Sequence, residues 1–261
     1  MLKKIKKIIE RYRKDEKNKK SILLRPFLLP NKLKKTVEVM KEKWDYLIVL
    51  DACRYDTFKK ITAKKIEGNL HKKNSLGTHT AEWLINNFPE KNYNIVYVSG
   101  TPQVSRVKLK KRLGNENPFF HLEDVWNWGW DENLGTVHPK TVNKSAKKLK
   151  DRYPKKRMII HYLQPHSPFI GKKKIQKNKK RMKWRDRVRK KKLSKTKVRK
   201  AYESNLRLVT KHVKTLVKNL DGKIVITSDH GENFGELGLF SHLPAMYMKS
   251  LMQIPWHVIR N

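Results

Sequence analysis

The chain has almost no cysteine and no long apolar run. Cys53 is the single cysteine among 261 residues, which excludes an internal disulfide and any zinc site built from several cysteines. No run of about 18 or more apolar residues occurs, so the sequence predicts no membrane-spanning helix. The basic residues 1–20 are followed by no uninterrupted apolar stretch of signal-peptide length. Together these absences predict a cytoplasmic protein.

Acidic residues are also scarce. Lys and Arg total 63 against 23 Asp and Glu, which gives a formal charge of +40. Such a charge attracts polyanions or anionic surfaces, but it does not identify which of them. The excess is concentrated in residues 172–200, where 18 Lys and Arg stand against one acid, Asp186. We expect this stretch to be an inserted loop or lid with partial helix.

The N-terminal 43 residues are predicted to form a basic helical extension. Apolar residues recur at helical spacing over residues 1–20, and a second helical stretch lies near Lys32–Lys43. The apolar stripe of the first helix either packs on the chain's own domain or docks on an acidic membrane surface. In the second case the protein would be peripheral to the membrane.

Residues 44–261 alternate apolar runs with amphipathic stretches. The runs that predict buried strands are Asp45–Asp51, Tyr93–Ser99, Arg157–Leu163, Lys223–Ser228 and Ile254–Ile259. The stretches that predict helices are Thr80–Phe88, His138–Tyr153 and Val198–Leu220. Alternation of this kind predicts an α/β domain whose mostly parallel sheet is covered by helices on both faces. The ligand site of such a domain lies at the carboxyl ends of the strands.

Acidic and imidazole groups stand where these strands end. Asp51 directly follows one apolar run, and Asp229 and His230 follow another in the motif SDHGE. A carboxylate at the end of a buried strand is costly unless it is paired or binds a metal. An adjacent carboxylate and imidazole can hold a divalent cation on a turn that Gly231 tightens. With Asp51 nearby, the sequence predicts a metal site here.

The segment GTHTAEW, residues 77–83, opens the helix predicted at Thr80. One interpretation is capping, with Thr78 or Thr80 as the N-cap. The other makes one threonine a nucleophile, activated by a metal and supported by the amides of the helix N-terminus. The sequence leaves both interpretations open.

Two histidines and one arginine complete the candidate set. His166 lies between prolines after a strand, where an imidazole can protonate a leaving oxygen or stabilise a phosphoryl group. His242 is a candidate metal or substrate ligand. Arg54 either pairs with Asp56 or faces a phosphate. Cys53 is interpreted as a buried small hydrophobe, and Trp126, Trp128 and Trp130 as packing residues rather than a sugar or lipid platform.

The motifs LDACRYD, S-x-GTHTAEW, QPHSPF, ITSDHGE and SHLP occur in the order found in the alkaline phosphatase superfamily. From about Trp44 to the end, the chain resembles the sulfatase-like branch of that superfamily. The resemblance implies a three-layer α/β/α sandwich with a mostly parallel central sheet. It also implies group transfer through a covalent intermediate on the nucleophile.

The resemblance assigns roles to individual residues. It implies that Asp51, Asp229 and His230 are metal ligands and that Thr78 is both nucleophile and ligand, with Thr80 as the second choice. His166 and His242 would contact the transferred group, or His242 would complete a metal site. The cofactor would be one or two divalent ions, with Zn, Mn and Mg all compatible with these donors.

Two departures from the family pattern narrow the function. Neither the Cys53 nor the Thr78 segment has the C/S-x-P-x-R pattern that sulfatases mature to formylglycine, which favours phosphate over sulfate esters. The loop HYLQPH, residues 161–166, lacks the acid of the Asp-x-x-x-His pair used by two-metal phosphatases. That absence favours one tightly bound metal, as in relatives that transfer phosphoglycerol or phosphoethanolamine.

Two functions therefore follow from the sequence. The first is a metal-dependent hydrolase or transferase that acts on an anionic small-molecule, glycan or lipid phosphate ester through a threonine nucleophile. The second is a catalytically degenerate relative that binds nucleic acid or an anionic membrane or glycan surface through its basic insert. No nucleic-acid motif is present and the strand-end residues are complete, so the first is preferred.

Overall fold

The structure is a computed structural model that describes residues 35–90, 93–114, 117–175 and 183–260. The helix predicted in residues 1–20 lies outside the described residues. Of the stretch predicted as helical near Lys32–Lys43, the described part contains only a 3-10 turn at Val39–Lys41. The amide of Val37 instead donates to the carbonyl of Asn74. Val37 and Val39 are buried in the same apolar cluster as Trp44.

A seven-stranded sheet forms the centre of the domain, in the order β2-β9-β8-β1-β7-β3-β4. Strands β8, β1, β7, β3 and β4 are parallel, whereas β9 is antiparallel to both β8 and β2. A separate antiparallel pair is formed by two short strands, β5 and β6. The strands are β1 Tyr46–Leu50, β2 Asn69–Asn74, β3 Tyr93–Ser99, β4 Phe119–Glu123, β5 Trp130–Asp131, β6 Thr136–Val137, β7 Arg157–Tyr162, β8 Lys223–Thr227 and β9 Gln253–Arg260.

Helices cover both faces of this sheet. They are α1 Tyr55–Ile61, α2 Thr80–Asn87, α3 Arg106–Leu113, α4 Val125–Trp128, α5 Pro139–Arg152, α6 Trp184–Arg189, α7 Lys195–Val217 and α8 Lys249–Met252. On one face, α1, α5 and α7 pack against alternate residues of the central strands. On the other face, α2 and α3 pack against the remaining residues of those strands. The three-layer α/β/α sandwich predicted from the sequence is therefore confirmed.

The strongly apolar strands were predicted to within one residue of the observed bounds, but β2, β4 and the two short strands β5 and β6 were not predicted. Strand β2 reads NLHKKN, lies at one edge of the sheet and has no buried residue, so the sequence shows no apolar pattern there. Strand β4, FFHLE, forms the opposite edge. Both owe their extended conformation to pairing with a neighbouring strand rather than to a continuous apolar run.

The basic insert predicted at residues 172–200 is partly helical in the structure. Helix α6 and the start of α7 lie within it, separated by a short turn, while residues 176–182 lie outside the described part. Among the residues that the structure describes, no helix is long and apolar enough to cross a bilayer.

Candidate active site

The carboxyl ends of β1 and β8 are joined by polar contacts around Asp51. Immediately after it, Ala52 adopts the left-handed conformation with φ of 60°, which is uncommon for a residue other than glycine. The turn is held because the Ala52 amide donates to Asp229 Oδ1 at 3.1 Å and the Tyr202 hydroxyl donates to the Ala52 carbonyl at 2.7 Å. The two predicted acids are thereby fixed side by side.

His230 lies between these acids with its ring aimed at both. Its Nε2 is 3.7 Å from Asp51 Oδ1 and 3.4 Å from Asp229 Oδ2, and all three side chains are buried. Its Nδ1 lies 2.7 Å from the carbonyl of Gly231. Because a carbonyl can only accept, Nδ1 carries the proton, and Nε2 of the neutral ring presents a lone pair to the two carboxylates.

The electrostatics of this cluster favour the binding of a positive charge. Burial, followed by repulsion from Asp229 and Glu232, raises the pKa of Asp51 well above its ordinary value. Burial lowers the pKa of His230 to about 4, so its ring is neutral near neutral pH. Asp229 Oδ2 is buried and has no hydrogen-bond partner among the described residues. A buried carboxylate oxygen of this kind is costly unless a cation compensates it.

The donor set fits a divalent cation. Two carboxylates and the Nε2 lone pair converge with the hydroxyl of Thr80, whose Oγ1 is 3.5 Å from His230 Nε2. Oxygen and imidazole donors of this kind suit zinc or manganese, and oxygen donors also suit magnesium. Asp51, Asp229, His230 and Thr80 are thus the residues that would hold the ion.

Thr78 is engaged elsewhere. Its hydroxyl donates to Glu82 Oε2 at 2.7 Å and lies 3.1 Å from the carbonyl of Leu243, and its amide also donates to Glu82 Oε2 at 2.9 Å. Although burial opposes ionisation, the proximity of His79, whose Nδ1 is 3.6 Å from Glu82 Oε2, and hydrogen bonds from Thr78 lower the pKa of Glu82 to about 2. Glu82 is therefore an anion that holds Thr78 in place just before α2. The N-cap of α2 is His79, whose side chain makes no capping hydrogen bond, so the predicted N-cap at Thr78 or Thr80 is wrong.

Thr80 is the threonine that faces the acids. It is the first residue of α2 and lies on the wall of a cavity of about 380 Å³ that Asp51, His166 and His242 also line. As the first residue of α2 it belongs to the turn whose amides lack partners within the helix, and such amides favour an anion. The two threonines, two residues apart in sequence, are thus placed in different environments.

His166 lies on the same cavity, in the loop that follows β7. Its amide donates to the Asp51 carbonyl at 3.1 Å, and its Nδ1 donates to the Ser167 carbonyl at 2.5 Å. Nε2 is therefore the proton-accepting atom of the neutral ring. Burial, followed by the proximity of His242, lowers its pKa to about 4.

His242 belongs to a second group beside the first. Its Nδ1 is 3.3 Å from Glu232 Oε1, and its ring centroid is 4.4 Å from that of His230 and 5.2 Å from that of His166. His166, Glu232 and His242 could together hold a cation. Burial raises the pKa of Glu232 to about 7. This group can contact either a transferred phosphate or a second ion.

Arg54 does not line the cavity in the structure. Its guanidinium pairs with Asp56 and with Glu236, at 2.6 Å in each case, and donates to the carbonyl of Glu232 at 2.9 Å. Of the two interpretations that the sequence left open, this geometry favours the pair with Asp56. Arg54 thus braces the loop that carries Glu232.

Several residues of the site had no sequence signal strong enough to identify them. Asn205 of α7 holds the His166 loop by three donated bonds and one accepted bond. The Tyr97 hydroxyl lies 2.8 Å from His161 Nδ1. His161 Nε2 in turn lies 3.9 Å from Asp229 Oδ2. Thr101 lines the same cavity as Asp51. All of these depend on contacts between distant parts of the chain.

Gly231 is required for a different reason from the one predicted. Its backbone is not among those with positive φ. A Cβ at this position would instead overlap the carbonyl oxygen of Ser250. The glycine therefore permits a close approach of two backbone segments beside His230.

The remaining sequence candidates lie near the site but outside its acidic cluster. Cys53 is buried, and its amide donates to Ser228 Oγ at 2.7 Å, in agreement with a packing role. Trp126 and Trp130 pack at the margin of the core, and Trp130 also lines the site cavity. Trp128 is exposed and donates its indole N–H to Glu123.

Comparisons with solved structures support the fold. The soluble domain of lipooligosaccharide phosphoethanolamine transferase A from Neisseria meningitidis superposes with a TM-score of 0.56 at 14% identity, covering 82% of this chain and 75% of that one. The periplasmic domain of a phosphoethanolamine transferase from Campylobacter jejuni superposes with a TM-score of 0.54 at 16% identity, covering 86% of this chain and 82% of that one. The C-terminal periplasmic domain of EptC from Escherichia coli, in complex with Zn, superposes with a TM-score of 0.52 at 14% identity. This match covers 86% of this chain and 75% of that one.

These similarities confirm the predicted three-layer fold, which the chain shares with the phosphoethanolamine transferase domains. The chain spans 48% of the full-length integral membrane form of the Neisseria enzyme. No protein-family model and no curated protein matches the sequence.

Proposed function

We propose that this chain is a metal-dependent enzyme that transfers or hydrolyses phosphate esters through Thr80. The observation that carries the proposal is the convergence of the His230 Nε2 lone pair, the Asp51 and Asp229 carboxylates and the Thr80 hydroxyl. Solved structures with this fold include phosphoethanolamine transferases, one of them in complex with Zn. Their chemistry supports the same reaction class here.

The bound ion would supply positive charge that lowers the pKa of the Thr80 hydroxyl and offsets the charge of the transferred group. Asp51, Asp229 and His230 would hold that ion. Hydrogen bonds that link Ala52 to Asp229 and to Tyr202 fix the positions of the acidic ligands. A site held in this way needs little reorganisation when the ester binds.

Thr80 would act as nucleophile in the first half of the reaction. Its Oγ loses a proton and forms a bond to phosphorus, while the bond from phosphorus to the leaving oxygen breaks and that oxygen gains a proton. The product of this step is a phosphothreonine. The helix N-terminus of α2 faces the negative charge that develops on the phosphoryl oxygens.

His166 would transfer protons in both halves of the reaction. Because Nδ1 donates to the Ser167 carbonyl, Nε2 can take a proton and deliver it to the leaving oxygen. In the second half, Nε2 takes the proton of the incoming water or alcohol, whose oxygen bonds to phosphorus while the bond from phosphorus to Thr80 Oγ breaks. The proton then returns from Nε2 to Thr80 Oγ. His242, which is paired with Glu232, lies beside it and would contact the phosphoryl group.

The substrate class that we propose is a glycan- or lipid-borne phosphate ester. The Neisseria neighbour acts on lipooligosaccharide, as its name states, and Trp130 gives the cavity here an aromatic wall. Phosphate is preferred to sulfate because the formylglycine pattern is absent from the sequence. The cytoplasmic location expected from the sequence stays a prediction.

Metal analysis combined with a substrate panel tests this proposal. Wild-type protein, Asp229→Asn and the control Asp56→Asn would be compared for bound metal and for turnover of aryl phosphate, phosphodiester and sulfate esters. We expect Asp229→Asn to lose the metal and at least about 100-fold in turnover, while Asp56→Asn keeps both. Wild-type turnover in Asp229→Asn would refute the proposal.

A further inference from the structure

A second cavity, of about 670 Å³, lies between helix α7 and the segment that follows α1. Residues 63–67 form one wall, and α7 forms the other from Arg207 onward. The residues of α7 that hold the active-site loops, Tyr202 and Asn205, come earlier in the helix. Among the described residues, none lines both this cavity and the candidate active-site cavity. The two cavities are therefore separate.

The lining of this cavity is strongly cationic. Glu67 is the one acid among the described residues that line it, and five cations face that acid: Lys64, Lys65, Arg207, Lys211 and Lys214. Within the described ranges of the chain, none of these five side chains forms an ion pair. By contrast Lys60, which lies on α1 outside the cavity, pairs with Glu203 at 3.2 Å. Unpaired like charges around one cavity repel each other, and a bound anion would relieve that repulsion.

Both walls present their cations to the same space. Arg207, Lys211 and Lys214 are spaced by four and three residues, which places them on one face of α7. Lys64 and Lys65 extend from the opposite wall. All five side chains are exposed, so their charged ends are available to a ligand. A ligand in the cavity would thus be approached by cations from two sides.

The wall that follows α1 is fixed by buried hydrogen bonds. The hydroxyls of Thr62 and Thr210 are bonded to each other at 2.8 Å and join the end of α1 to α7. His257 of β9 has its Nε2 3.1 Å from the carbonyl of Ile66 and 3.2 Å from that of Glu67. Because carbonyls only accept, this Nε2 carries a proton and donates to them. The spacing between the walls is therefore set by the fold.

The charge and shape of the cavity indicate the chemical class of its ligand. Five cations and one acid leave four positive charges in excess. A phosphate monoester carries about −1.5 to −2 near neutral pH, so two or three phosphates match that excess. The volume falls within the range of about 300–1,000 Å³ that is usual for small-molecule sites. No aromatic side chain of the described residues lines the cavity, so nucleic-acid bases would find no stacking surface.

We propose that this cavity binds a compact ligand with two or three phosphate groups and no aromatic base. Lys64 and Lys65 would hold the ligand from one wall, and cations of α7 would hold it from the other. Phosphate oxygens accept charge-assisted hydrogen bonds from ammonium and guanidinium groups. A soluble polyol phosphate and a lipid headgroup both present this chemistry. The inference does not depend on the proposed function, because the two cavities share no described lining residue.

Lysine footprinting of the full chain tests the inference and locates the ligand. The protein would be acylated briefly with an amine-reactive ester, with and without inositol trisphosphate, and each lysine would be quantified by mass spectrometry. We expect saturating trisphosphate to slow acylation of Lys64, Lys65, Lys211 and Lys214 by about fivefold or more. Inositol monophosphate should protect them much less at the same concentration. No lysine of the described residues lines the active-site cavity, so a ligand bound there does not produce this result.

Two charge-matched double variants show whether one ligand contacts both walls. Arg207→Gln with Lys211→Gln removes two cations from the α7 wall. Lys197→Gln with Lys200→Gln removes two exposed cations from the same helix outside the cavity. We expect protection of Lys64, on the opposite wall, to fall below about twofold in the first variant. The control variant should keep the protection seen in wild type.

The remaining probes assign the source of the phosphates. Protection by phosphatidylcholine vesicles that carry phosphatidylinositol bisphosphate, at a lower phosphate concentration than free trisphosphate requires, would assign a lipid headgroup. Protection by the free trisphosphate without a gain from vesicles would assign a soluble ligand. Equal acylation with and without every probe would overturn the inference, as would protection that extends equally to Lys197 and Lys200. Stronger protection by single-stranded DNA at equal phosphate concentration would overturn it in favour of nucleic acid.

Discussion

The side chain of Asn205 donates to the carbonyl of His166 at 3.0 Å. Through this bond, helix α7 on one face of the sheet holds the loop that carries a candidate proton-transfer residue. The same amide also donates to the carbonyls of Pro165 and Pro168 and accepts from the amide of Ile170. One buried side chain thus fixes the loop that forms a wall of the site.

Asn205→Ala should lower both stability and activity. Its removal leaves the Ile170 amide and the loop carbonyls without their partner, which should cost about 2–3 kcal/mol in the free energy of unfolding. Because His166 loses its support, kcat should fall more than KM rises. Urea unfolding and steady-state kinetics measure these effects. Asn219→Ala, an exposed asparagine beyond the end of α7, is the control. Unchanged kinetics in a folded Asn205→Ala protein would show that the loop needs no such support.

Arg54→Gln should reduce stability while leaving substrate affinity nearly unchanged. The guanidinium is 11% exposed and pairs with Glu236, which is 27% exposed, so we expect a loss of about 1–3 kcal/mol. The loss should be smaller in a Glu236→Gln background, because the partner is already absent. Chemical denaturation of wild type, Arg54→Gln, Glu236→Gln and the double variant gives the coupling free energy between the two side chains. A large rise in KM at unchanged stability would instead assign Arg54 to substrate binding.

Stability should depend on pH through His212. Burial, followed by His138 at a ring distance of 5.1 Å, lowers the pKa of His212 in the folded protein. A lowered histidine pKa means that the neutral form is favoured by folding. The stabilisation that neutral His212 contributes is therefore present above about pH 6.5, the pKa of histidine in the unfolded chain. It is lost as the pH falls below that value.

Unfolding of metal-free wild type and His212→Gln across this pH range measures the effect. We expect stability to fall less steeply with acidification in His212→Gln than in wild type. The substitution keeps a polar side chain on α7, so the comparison isolates the titration. Identical slopes in the two proteins would contradict the expectation.

Much of the site's location could be predicted from the sequence. The run YLIVL and the central IVI of KIVIT are apolar because both faces of their strands are covered, and this pattern places Asp51 and Asp229 at one edge of a parallel sheet. His166 follows a third such strand. Local patterns suffice here because strand type and strand ends are encoded by neighbouring residues.

The choice between Thr78 and Thr80 could not be predicted in the same way. Thr78 lies two residues before the first residue of the helix, Thr80, and from the sequence alone either could have capped it. The choice depends on Glu82, which bonds Thr78, and on His230, which lies 150 positions from Thr80 in sequence. The function of Arg54 likewise depends on Glu236, 182 positions away. Such contacts exist only once the sheet has brought the segments together.

The position of Thr80 is the central claim, and trapping the covalent intermediate tests it most directly. Metal-loaded protein would be mixed with an aryl phosphate, quenched in acid and analysed by peptide fragmentation, which assigns phosphate to a single threonine. We predict phosphate on Thr80 and a fall in turnover of about 1,000-fold or more in Thr80→Ala, with a smaller fall in Thr78→Ala. Phosphate on Thr78, or full turnover in Thr80→Ala, would contradict the account.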